Sequence, residues 1–319
     1  MAKILVTGGT GYVGGMVCRK IHGMHTIFNI DRRMDTTDIP NMATYNIDLS
    51  SPAMPDIVRS IRPDIIFHFA AETEVAKSVE DPGAFYKTNV SDTIRLLNVA
   101  AEVGVKNFIF SSTSSVYGDI PEFPPSEDVN KNPVSAYGIS KSCIEDMLPD
   151  YERAYGMNYV ILRYFNVAGA ALDNTHGYQQ AKASHIIPII CRKAMEGGAL
   201  TVFGKEYDTP DGTAQRDYIH VEDLAEAHIK AWEYLQTGGT PGAFNIGSGK
   251  PHTILEVKEV FEKVTGKKVP HNWAPAREGD PAKIWADCSK ALHFLGWQPQ
   301  QDMESIIKTS WAWENRFNR

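Results

Sequence analysis

The sequence has 319 residues, of which 43% are hydrophobic and 22% are charged, and its 39 acidic and 32 basic side chains give a formal net charge of −7. This composition excludes an intrinsically disordered or collagen-like chain, and at about 150 residues per domain the length suggests two domains. The acidic balance leaves no basic stripe to follow a phosphate backbone, so we expect no nucleic-acid partner.

Short β-rich apolar runs alternate with amphipathic stretches through the first half of the chain. Strands are predicted at 4–7, 26–30, 43–46, 65–69, 108–111 and 159–163, and helices at 11–21, 54–61, 85–102 and 136–155. Asp81 and Pro82 form a helix-start pair, an N-cap side chain followed by a residue whose φ suits the first turn. The alternation indicates βαβ units and predicts an α/β protein with a doubly wound parallel sheet.

The regular alternation stops near Asn166, after which stretches rich in Gly, Pro and Asp separate shorter elements. Two further helices are predicted at 221–235 and 254–265, and we expect both to return and pack on the first domain or its neighbour. The predicted organisation is a first domain at 1–166, with returning segments at about 221–248, and a smaller, interleaved C-terminal lobe formed mainly by 167–319.

A glycine-rich turn follows the first predicted strand and opens the first predicted helix. Gly8, Gly11 and Gly14 form a GxxGxxG pattern, and Asp31 stands at the end of the second strand. Glycines let a backbone approach a pyrophosphate closely, the helix N-terminus favours its negative charge, and an acid on the second strand accepts hydrogen bonds from a ribose diol. The pattern predicts a Rossmann-like dinucleotide site.

The choice between NAD and NADP depends on three adjacent residues. The carboxylate of Asp31 repels a 2′-phosphate, so the sequence favours NAD as the cofactor. Arg32 and Arg33 follow at once and could bind such a phosphate, which keeps NADP open as the alternative. Asp48, after the third strand, suits the amine edge of adenine, with a plain loop-capping role as the alternative interpretation.

A second group of polar residues combines the end of the fifth strand with the fourth helix. Tyr137 and Lys141 stand one helical turn apart in a YxxxK pattern, and Thr113 lies at the end of the strand. A tyrosine with a pKa of about 10 is a poor base at neutral pH, and lowering that pKa to about 7 needs about 4 kcal/mol. A nearby ammonium and an oxidised nicotinamide can supply it. We predict that Tyr137 is the base, that Lys141 lowers its pKa and that Thr113 holds the substrate oxygen.

On these motifs the chain resembles the extended short-chain dehydrogenases/reductases, and within that superfamily the UDP-galactose 4-epimerases. The resemblance runs from end to end and includes FHFAA at 67–71, SSTSSVYG at 111–118 and RYFN at 163–166. It is most specific in GTxxRDYIHVxDLA at 212–225 and in APAREGDPAKIWAD at 274–287. It implies an NAD-binding Rossmann domain, a C-terminal lobe that binds a nucleotide sugar, and a homodimer.

The resemblance also implies the residues of both sites. The implied NAD contacts, in addition to those of the glycine turn, Asp31, Asp48, Tyr137 and Lys141, are Tyr12, Val13, Leu49, Phe69, Ala70, Ala71, Thr73, Asn89, Ser111 and Tyr164. The implied contacts to a UDP-hexose, in addition to Thr113 and Tyr137, are Asn166, His185, Phe203, Arg216, Tyr218, Arg277, Asp280 and Ile284. A pyrophosphate favours two arginines in charge-assisted pairs, which agrees with Arg216 and Arg277. We expect no metal site.

Several positions depart from the family's pattern. Thr73 stands where the family usually has a Lys, Thr88 where it has the first Asn of a pair, and His185 where it has an Asn that faces the nucleotide. These changes bear on affinity more than on activity. Ile284 stands where a Tyr is typical of enzymes restricted to unacetylated sugars and a smaller residue is typical of those that accept N-acetyl sugars, so substrate breadth stays open.

The activity implied by the resemblance is NAD-dependent interconversion of UDP-glucose and UDP-galactose through transient oxidation at sugar C4. A nucleotide-sugar 4,6-dehydratase or decarboxylase is one alternative, but its relatives place acidic residues where this chain has Ser114 and Ser115. A non-catalytic NAD-binding regulator is another, which the intact set of Thr113, Tyr137 and Lys141 does not favour.

The location of the protein is predicted from what the sequence lacks. The longest apolar run, at 65–71, is far shorter than the roughly 20 residues of a membrane-spanning helix, so we expect no membrane partner. A signal peptide is not expected, because its cleavage would remove the strand that feeds the glycine turn. The expectation is a cytoplasmic protein.

Overall fold

A seven-stranded parallel sheet forms the centre of the computed structural model, which describes residues 1–34, 39–118, 124–277 and 281–317. The strands are β1 (Lys3–Thr7), β2 (Thr26–Asp31), β3 (Met42–Asn46), β4 (Ile65–His68), β5 (Asn107–Thr113), β6 (Asn158–Tyr164), β7 (Asn166–Ala168), β8 (Leu200–Phe203), β9 (Gln215–His220), β10 (Gly242–Ile246), β11 (Pro251–Thr253), β12 (His271–Ala274) and β13 (Lys283–Ile284). The main sheet has the order β10-β6-β5-β4-β1-β2-β3. Its strand order reverses beside β1, and ligands of such sheets bind there, outside the carboxyl ends of the strands.

Helices cover both faces of this sheet. They are α1 (Tyr12–Ile21), α2 (Met54–Ile61), α3 (Val75–Glu80), α4 (Pro82–Phe85), α5 (Thr93–Val103), α6 (Ala136–Tyr155), α7 (Ile186–Glu196), α8 (Val221–Gln236), α9 (Ile254–Thr265) and α10 (Met303–Phe317). Side chains alternate along β1, so that Ile4 and Val6 join the core beneath α1 and α8, whereas Leu5 joins the core beneath α2, α5 and α6. The predicted doubly wound α/β fold is confirmed.

The helix predicted at 85–102 is present, but it is not a regular α-helix throughout. α4 ends at Phe85, a π-helical segment follows at Tyr86–Asp92, and α5 begins only at Thr93. A π turn bonds each residue to the fifth one along, and the spacing of apolar side chains does not reveal it. The predicted start is confirmed, because Asp81 Oδ1 accepts a hydrogen bond from the amide of Ala84 at 3.2 Å.

The second half of the chain contributes to the main sheet as well as to a smaller lobe. β10 pairs with β6 at the edge of the main sheet, and α8 packs against α1. Of the two expected positions, α8 takes the first domain and α9 takes the neighbouring lobe. The apolar residues Val257 and Phe261 of α9, one helical turn apart, bury against Ile190 of α7 and Ile307 of α10. The domain boundaries themselves stay a prediction.

Two small sheets build the C-terminal lobe. In the first, β9 pairs in parallel with β7 and β13 and antiparallel with β11. In the second, β8 pairs in parallel with β12. Because β7 follows β6 almost directly, the lobe begins at the carboxyl edge of the main sheet, next to the end of β5.

None of the helices in the described ranges is both long and apolar enough to cross a membrane. No three His, Cys, Asp or Glu side chains within these ranges come together as a candidate metal site.

Candidate active site

The turn between β1 and α1 packs so tightly that two of its glycine positions have no room for a side chain. Gly8 has a φ of 79°, and a Cβ at this position would lie 2.8 Å from the amide nitrogen of Ala70. A Cβ at Gly14 would lie 2.3 Å from the carbonyl oxygen of Gly8. Gly11 caps α1 without a side-chain hydrogen bond, so the first amides of the helix face the turn. This cradle suits a pyrophosphate.

A second feature of the turn also fits a polar ligand. The hydroxyl of Thr10 is buried and has no hydrogen-bond partner within the described part of the chain. A buried hydroxyl without a partner is costly, and a bound polar group can relieve it. The residues present therefore fit a dinucleotide.

Asp31 is held at the end of β2, beside the glycine turn. Its Oδ2 accepts a hydrogen bond from the amide of Thr10 at 3.1 Å, and its Oδ1 accepts one from the amide of Arg33 at 2.9 Å. Asp48 follows β3, and its Oδ1 accepts a hydrogen bond from the amide of Ser50 at 2.8 Å. Burial works to raise the pKa of Asp48, but its hydrogen bonds with Ser50 and nearby positive charges outweigh burial and lower it.

The other predicted cofactor residues surround the same crevice. Phe69, Ala70 and Ala71 directly follow β4, Leu49 is buried after β3, and Thr73 is exposed beyond them. At the start of α1, Tyr12 and Val13 are half-buried, and the Tyr12 hydroxyl donates a hydrogen bond to the carbonyl oxygen of Gly169 at 2.6 Å. The positions agree with a cofactor site, and the individual contacts stay a prediction.

Asn89, predicted as a cofactor contact, holds two structural elements together. Its Oδ1 accepts a hydrogen bond from the amide of Glu72 at 2.8 Å, and its Nδ2 donates to the carbonyl oxygen of Glu72 at 3.0 Å. The same Nδ2 donates to the hydroxyl of Ser140 in α6 at 3.0 Å. Asn89 therefore links the loop after β4 to the helix that carries Tyr137 and Lys141.

The predicted catalytic residues do come together at the carboxyl end of β5. Thr113 lies beside the phenol of Tyr137, and its hydroxyl is close enough to favour the ionised form of that phenol. Lys141 Nζ donates a hydrogen bond to the carbonyl oxygen of Ser111 at 2.9 Å and lies 5.0 Å from the ring centre of Phe110. The start of α6 is fixed by its N-cap residue, because the hydroxyl of Ser135 accepts a hydrogen bond from a backbone amide in the first turn.

The pKa values of this pair differ from the values expected of an activated base. Burial raises the pKa of Tyr137 to about 12, although the neighbouring hydroxyl of Thr113 opposes this rise. Burial lowers the pKa of Lys141 to about 7, and the negative charge of Glu145 opposes that fall. The groups of the protein alone therefore leave the phenol protonated near neutral pH.

The interpretation of the sequence missed a buried ion pair behind Lys141. Glu145 follows Lys141 by one helical turn, and its Oε2 lies 2.7 Å from Nη2 of Arg163 in β6. Ser112 donates a hydrogen bond to Glu145 Oε1 at 2.5 Å, and Lys131 approaches Oε2 to 3.3 Å. The one-turn spacing of residues 137, 141 and 145 could have indicated from the sequence that Glu145 lies on the same helix face as Tyr137 and Lys141.

A chain of hydrogen bonds fixes Tyr164 next to Ser111. The Tyr164 hydroxyl donates to Ser111 Oγ at 2.7 Å and lies 2.5 Å from His228 Nε2. Burial lowers the pKa of His228 to about 4, so this histidine is neutral at physiological pH. His228 Nδ1 lies 2.8 Å from the carbonyl oxygen of Leu224 and completes the chain. Sequence analysis did not identify His228.

Four of the predicted substrate residues lie on two strand pairings of the C-terminal lobe. Asn166 in β7 is in register with Tyr218 in β9, and Ile284 in β13 is in register with Arg216 in β9. Asn166 Nδ2 also donates to the carbonyl oxygen of Asp217 at 3.0 Å. One small sheet thus carries four of the predicted contacts.

The remaining predicted substrate residues lie outside that sheet. The guanidinium of Arg277 stacks on the ring of Phe203, with its carbon 4.0 Å from the ring centre. His185 is exposed at the N-cap of α7 and meets the ring of Tyr178 edge to face. Asp280 lies outside the described residues.

Asp217, which the sequence interpretation did not single out, anchors the loops around this sheet. Its carboxylate is buried and accepts hydrogen bonds from the amide and hydroxyl of Ser248, at 2.7 and 2.5 Å. It also accepts from the amides of Gly249 at 2.9 Å and Ala286 at 3.0 Å. The segment that carries Ile284 is thereby tied to β9 and to the loop after β10.

Known proteins resemble this chain in both sequence and fold. A curated UDP-glucose 4-epimerase from Streptococcus mutans is 40% identical over 98% of this chain and 97% of its own length. The crystal structure of UDP-glucose 4-epimerase from Brucella ovis in complex with NAD superposes with a TM-score of 0.94, at 35% identity over 99% of this chain and 98% of that one.

A further solved structure, the UDP-Glc/GlcNAc 4-epimerase from Campylobacter jejuni, has a TM-score of 0.85 at 35% identity and covers 99% of this chain and 100% of its own. Residues 4–247 match the family described as the NAD dependent epimerase/dehydratase family. With the glycine turn, Asp31 and the Thr113, Tyr137 and Lys141 set in place, the chain belongs to the NAD dependent epimerase/dehydratase family.

Proposed function

We propose that this protein interconverts UDP-glucose and UDP-galactose by transient oxidation at C4 of the sugar, with NAD as its cofactor. The observation that carries the proposal is the placement of Thr113 beside the phenol of Tyr137, with Lys141 one helical turn further along α6. This arrangement lies at the carboxyl edge of the sheet, where the glycine turn and Asp31 also lie.

The chain's own residues divide the binding of NAD between them. The glycine turn and the N-terminus of α1 hold the pyrophosphate, and Asp31 accepts hydrogen bonds from the adenosine ribose. Asp48 and Leu49 border the adenine, and Ser111, Tyr137, Lys141 and Tyr164 lie toward the nicotinamide. When bound, NAD supplies a reversible hydride acceptor, so the reaction needs no net oxidant.

Tyr137 moves the proton in this reaction. It removes the proton of the sugar 4-hydroxyl while Thr113 holds the oxygen, and it returns that proton after the 4-keto sugar has turned over in the pocket. Its pKa must fall from about 12 for this role. The ammonium of Lys141 and the positive charge of the oxidised cofactor both act in that direction.

The nucleotide anchors the substrate while the sugar turns. Arg216 and Arg277 form charge-assisted hydrogen bonds with the diphosphate, whereas Asn166, Phe203 and Tyr218 hold the uridine. Binding energy from the part of the substrate that does not react positions the part that does. His185 and Asp280 complete the proposed contacts to the nucleotide.

Product analysis tests the proposal directly. The purified protein is incubated separately with UDP-glucose and UDP-galactose, and the nucleotide sugars are resolved by chromatography. We expect both incubations to reach the same mixture of the two, without a stoichiometric change in NAD. A 4-keto-6-deoxy product would point to a dehydratase, and unchanged substrates to a binding protein; either result would overturn the proposal.

The homodimer and the cytoplasmic location stay predictions for this protein. A homodimer is tested by light scattering coupled to size-exclusion chromatography, and a monomer mass would contradict it. A cytoplasmic location is tested by fractionation of cells that express the protein, and recovery in a membrane or secreted fraction would contradict it.

A further inference from the structure

An ion pair spans the crevice in which the adenosine half of the cofactor is expected. Arg32 directly follows β2, and its Nη1 lies 2.7 Å from Oε1 of Glu72 in the loop after β4. The charges of Asp48, after β3, and Asp31, at the end of β2, also act on this guanidinium. Arg32 is therefore paired with one carboxylate and acted on by the charges of two more, and the three carboxylates come from the ends of β2, β3 and β4.

The second arginine of this segment is also directed to a carboxylate. Arg33 Nε lies 3.6 Å from Asp31 Oδ1, and the amide of Arg33 donates to the same oxygen at 2.9 Å. Both arginine side chains that could bind a 2′-phosphate therefore lie beside carboxylates. Among these side chains, the three carboxylates outnumber the two guanidinium groups.

We propose that Glu72 is a cofactor-specificity residue, which excludes NADP by holding Arg32 in an ion pair. The inference rests on the NAD site of the proposed function. It differs from the role of Asp31, because Glu72 acts on the ribose through Arg32 rather than by accepting the ribose hydrogen bonds.

The chemistry of a 2′-phosphate explains why Arg32 matters. A phosphomonoester carries up to two negative charges and binds arginine through paired, charge-assisted hydrogen bonds. An arginine that already pairs with Glu72 can bind the phosphate only after that pair is broken. With glutamine at position 72, the guanidinium has a neutral neighbour and can turn toward the phosphate.

The exposure of the pair makes it suitable for mutation. The Arg32 side chain is 55% exposed and that of Glu72 is 31% exposed. Ion pairs as exposed as this contribute little to folding stability, so the variant is expected to fold. Glu74 offers a matched control, because it is two residues away and pairs with Lys77 at 2.6 Å.

The experiment compares Glu72→Gln, Glu74→Gln and the wild type in the absence of substrate. Each protein is incubated to constant composition with an excess of an equimolar mixture of NAD and NADP and freed of unbound nucleotide. The bound nucleotides are then released by denaturation and quantified by chromatography. We expect Glu72→Gln to raise the bound NADP-to-NAD ratio about tenfold, or about 1.4 kcal/mol, and Glu74→Gln to change it less than about twofold.

A double variant identifies the group that receives the phosphate. Adding Arg32→Gln to Glu72→Gln should return the ratio to the wild-type value. An unchanged ratio in Glu72→Gln, an equal rise in Glu74→Gln, or a rise that survives in the double variant would each overturn the role of Glu72 while leaving NAD binding intact. A wild type that binds neither nucleotide would instead overturn the cofactor site itself, and the inference with it.

Discussion

Lys141 donates a hydrogen bond from Nζ to the carbonyl oxygen of Ser111 at 2.9 Å, which fixes its ammonium against the last residues of β5. The next residue of that strand also bonds to α6, because the hydroxyl of Ser112 donates a hydrogen bond to Glu145, and Thr113 lies beside Tyr137. Three successive positions of one strand thus adjoin three residues of α6 that are each one turn apart. The end of β5 therefore supports the face of the helix that carries the proposed base.

Replacing Tyr137 by Phe should abolish most turnover. The phenol is the proposed proton carrier, and general acid–base steps are commonly worth about 10²- to 10⁴-fold. NAD content should be unchanged, because the hydroxyl contributes little to binding the cofactor. Turnover at saturating substrate and nucleotide released from denatured protein are the two measurements, and a loss of less than about tenfold would contradict the role of Tyr137.

Replacing Lys141 by Met should change how stability depends on pH. The folded-state pKa of Lys141 is about 7, below its ordinary value of 10.5. Because the unfolded chain binds the extra proton between these values, the wild type gains stability as the pH rises from 7 to 10.5. The variant lacks this gain, so its stability relative to the wild type should be greatest below pH 7 and should fall above it.

Urea unfolding at several pH values from 6 to 10 measures this difference, with turnover recorded in parallel. A stability difference between variant and wild type that does not change with pH would show that Lys141 is not held with a lowered pKa. Loss of turnover is expected where Lys141 is charged in the wild type, because the phenol of Tyr137 then loses the ammonium that lowers its pKa.

Replacing Glu145 by Gln should destabilise the protein by about 3–5 kcal/mol, since removing one partner of a buried ion pair leaves the other charge uncompensated. Glu145 and Arg163 are 4% and 5% exposed. Asp146→Asn is the matched control, because Asp146 also pairs with Lys131, at 2.6 Å, but is exposed. Denaturant unfolding should separate the two variants clearly, and equal small effects would show that the buried pair is not needed for stability.

Replacing Ile284 by Tyr should narrow the range of substrates. Ile284 is half-buried in β13 beside Arg216, and we expect wild-type activity on the UDP-glucose and UDP-galactose pair with weaker activity on the N-acetylated pair. Overfilling a packed site costs about 1–3 kcal/mol, or about 5- to 150-fold. The loss should fall on the N-acetylated substrates.

The measurement for this variant is kcat/KM on both pairs. Ile284→Val, which removes one methyl group and keeps the branched shape, is the control and should leave both values within about threefold. Equal losses on the two pairs in Ile284→Tyr would mean that this side chain does not limit access of the acetamido group.

Local patterns in the sequence predicted the central part of the site and left its supports undetected. The glycine turn, Asp31 and the spacing of Tyr137 and Lys141 each depend on neighbours within one element or one turn, which a sequence displays. The pair of Glu72 with Arg32 joins loops after two different strands, and that of Glu145 with Arg163 joins a helix to a strand. Such contacts depend on the tertiary fold, so no local pattern marks them.

The same limit explains why the sequence did not reveal the π-helical segment within the predicted helix. Apolar spacing predicted a helix at 85–102, but it does not distinguish a π turn from an α turn. The π-helical segment contains Asn89, whose buried amide bonds to the backbone of Glu72. The residue with a clear role in the π-helical segment is therefore the polar Asn89, which the spacing of apolar residues does not reveal.

The carboxylate of Asp217 joins two segments that are distant in the sequence. It accepts hydrogen bonds from the loop after β10 and from the segment after β13, so separating these segments would remove four hydrogen bonds from a buried carboxylate at once. The amides of Ser248, Gly249 and Ala286 should therefore exchange with solvent more slowly than those of exposed loops. Arg277, which is exposed and stacks on Phe203, lies outside this set of hydrogen bonds.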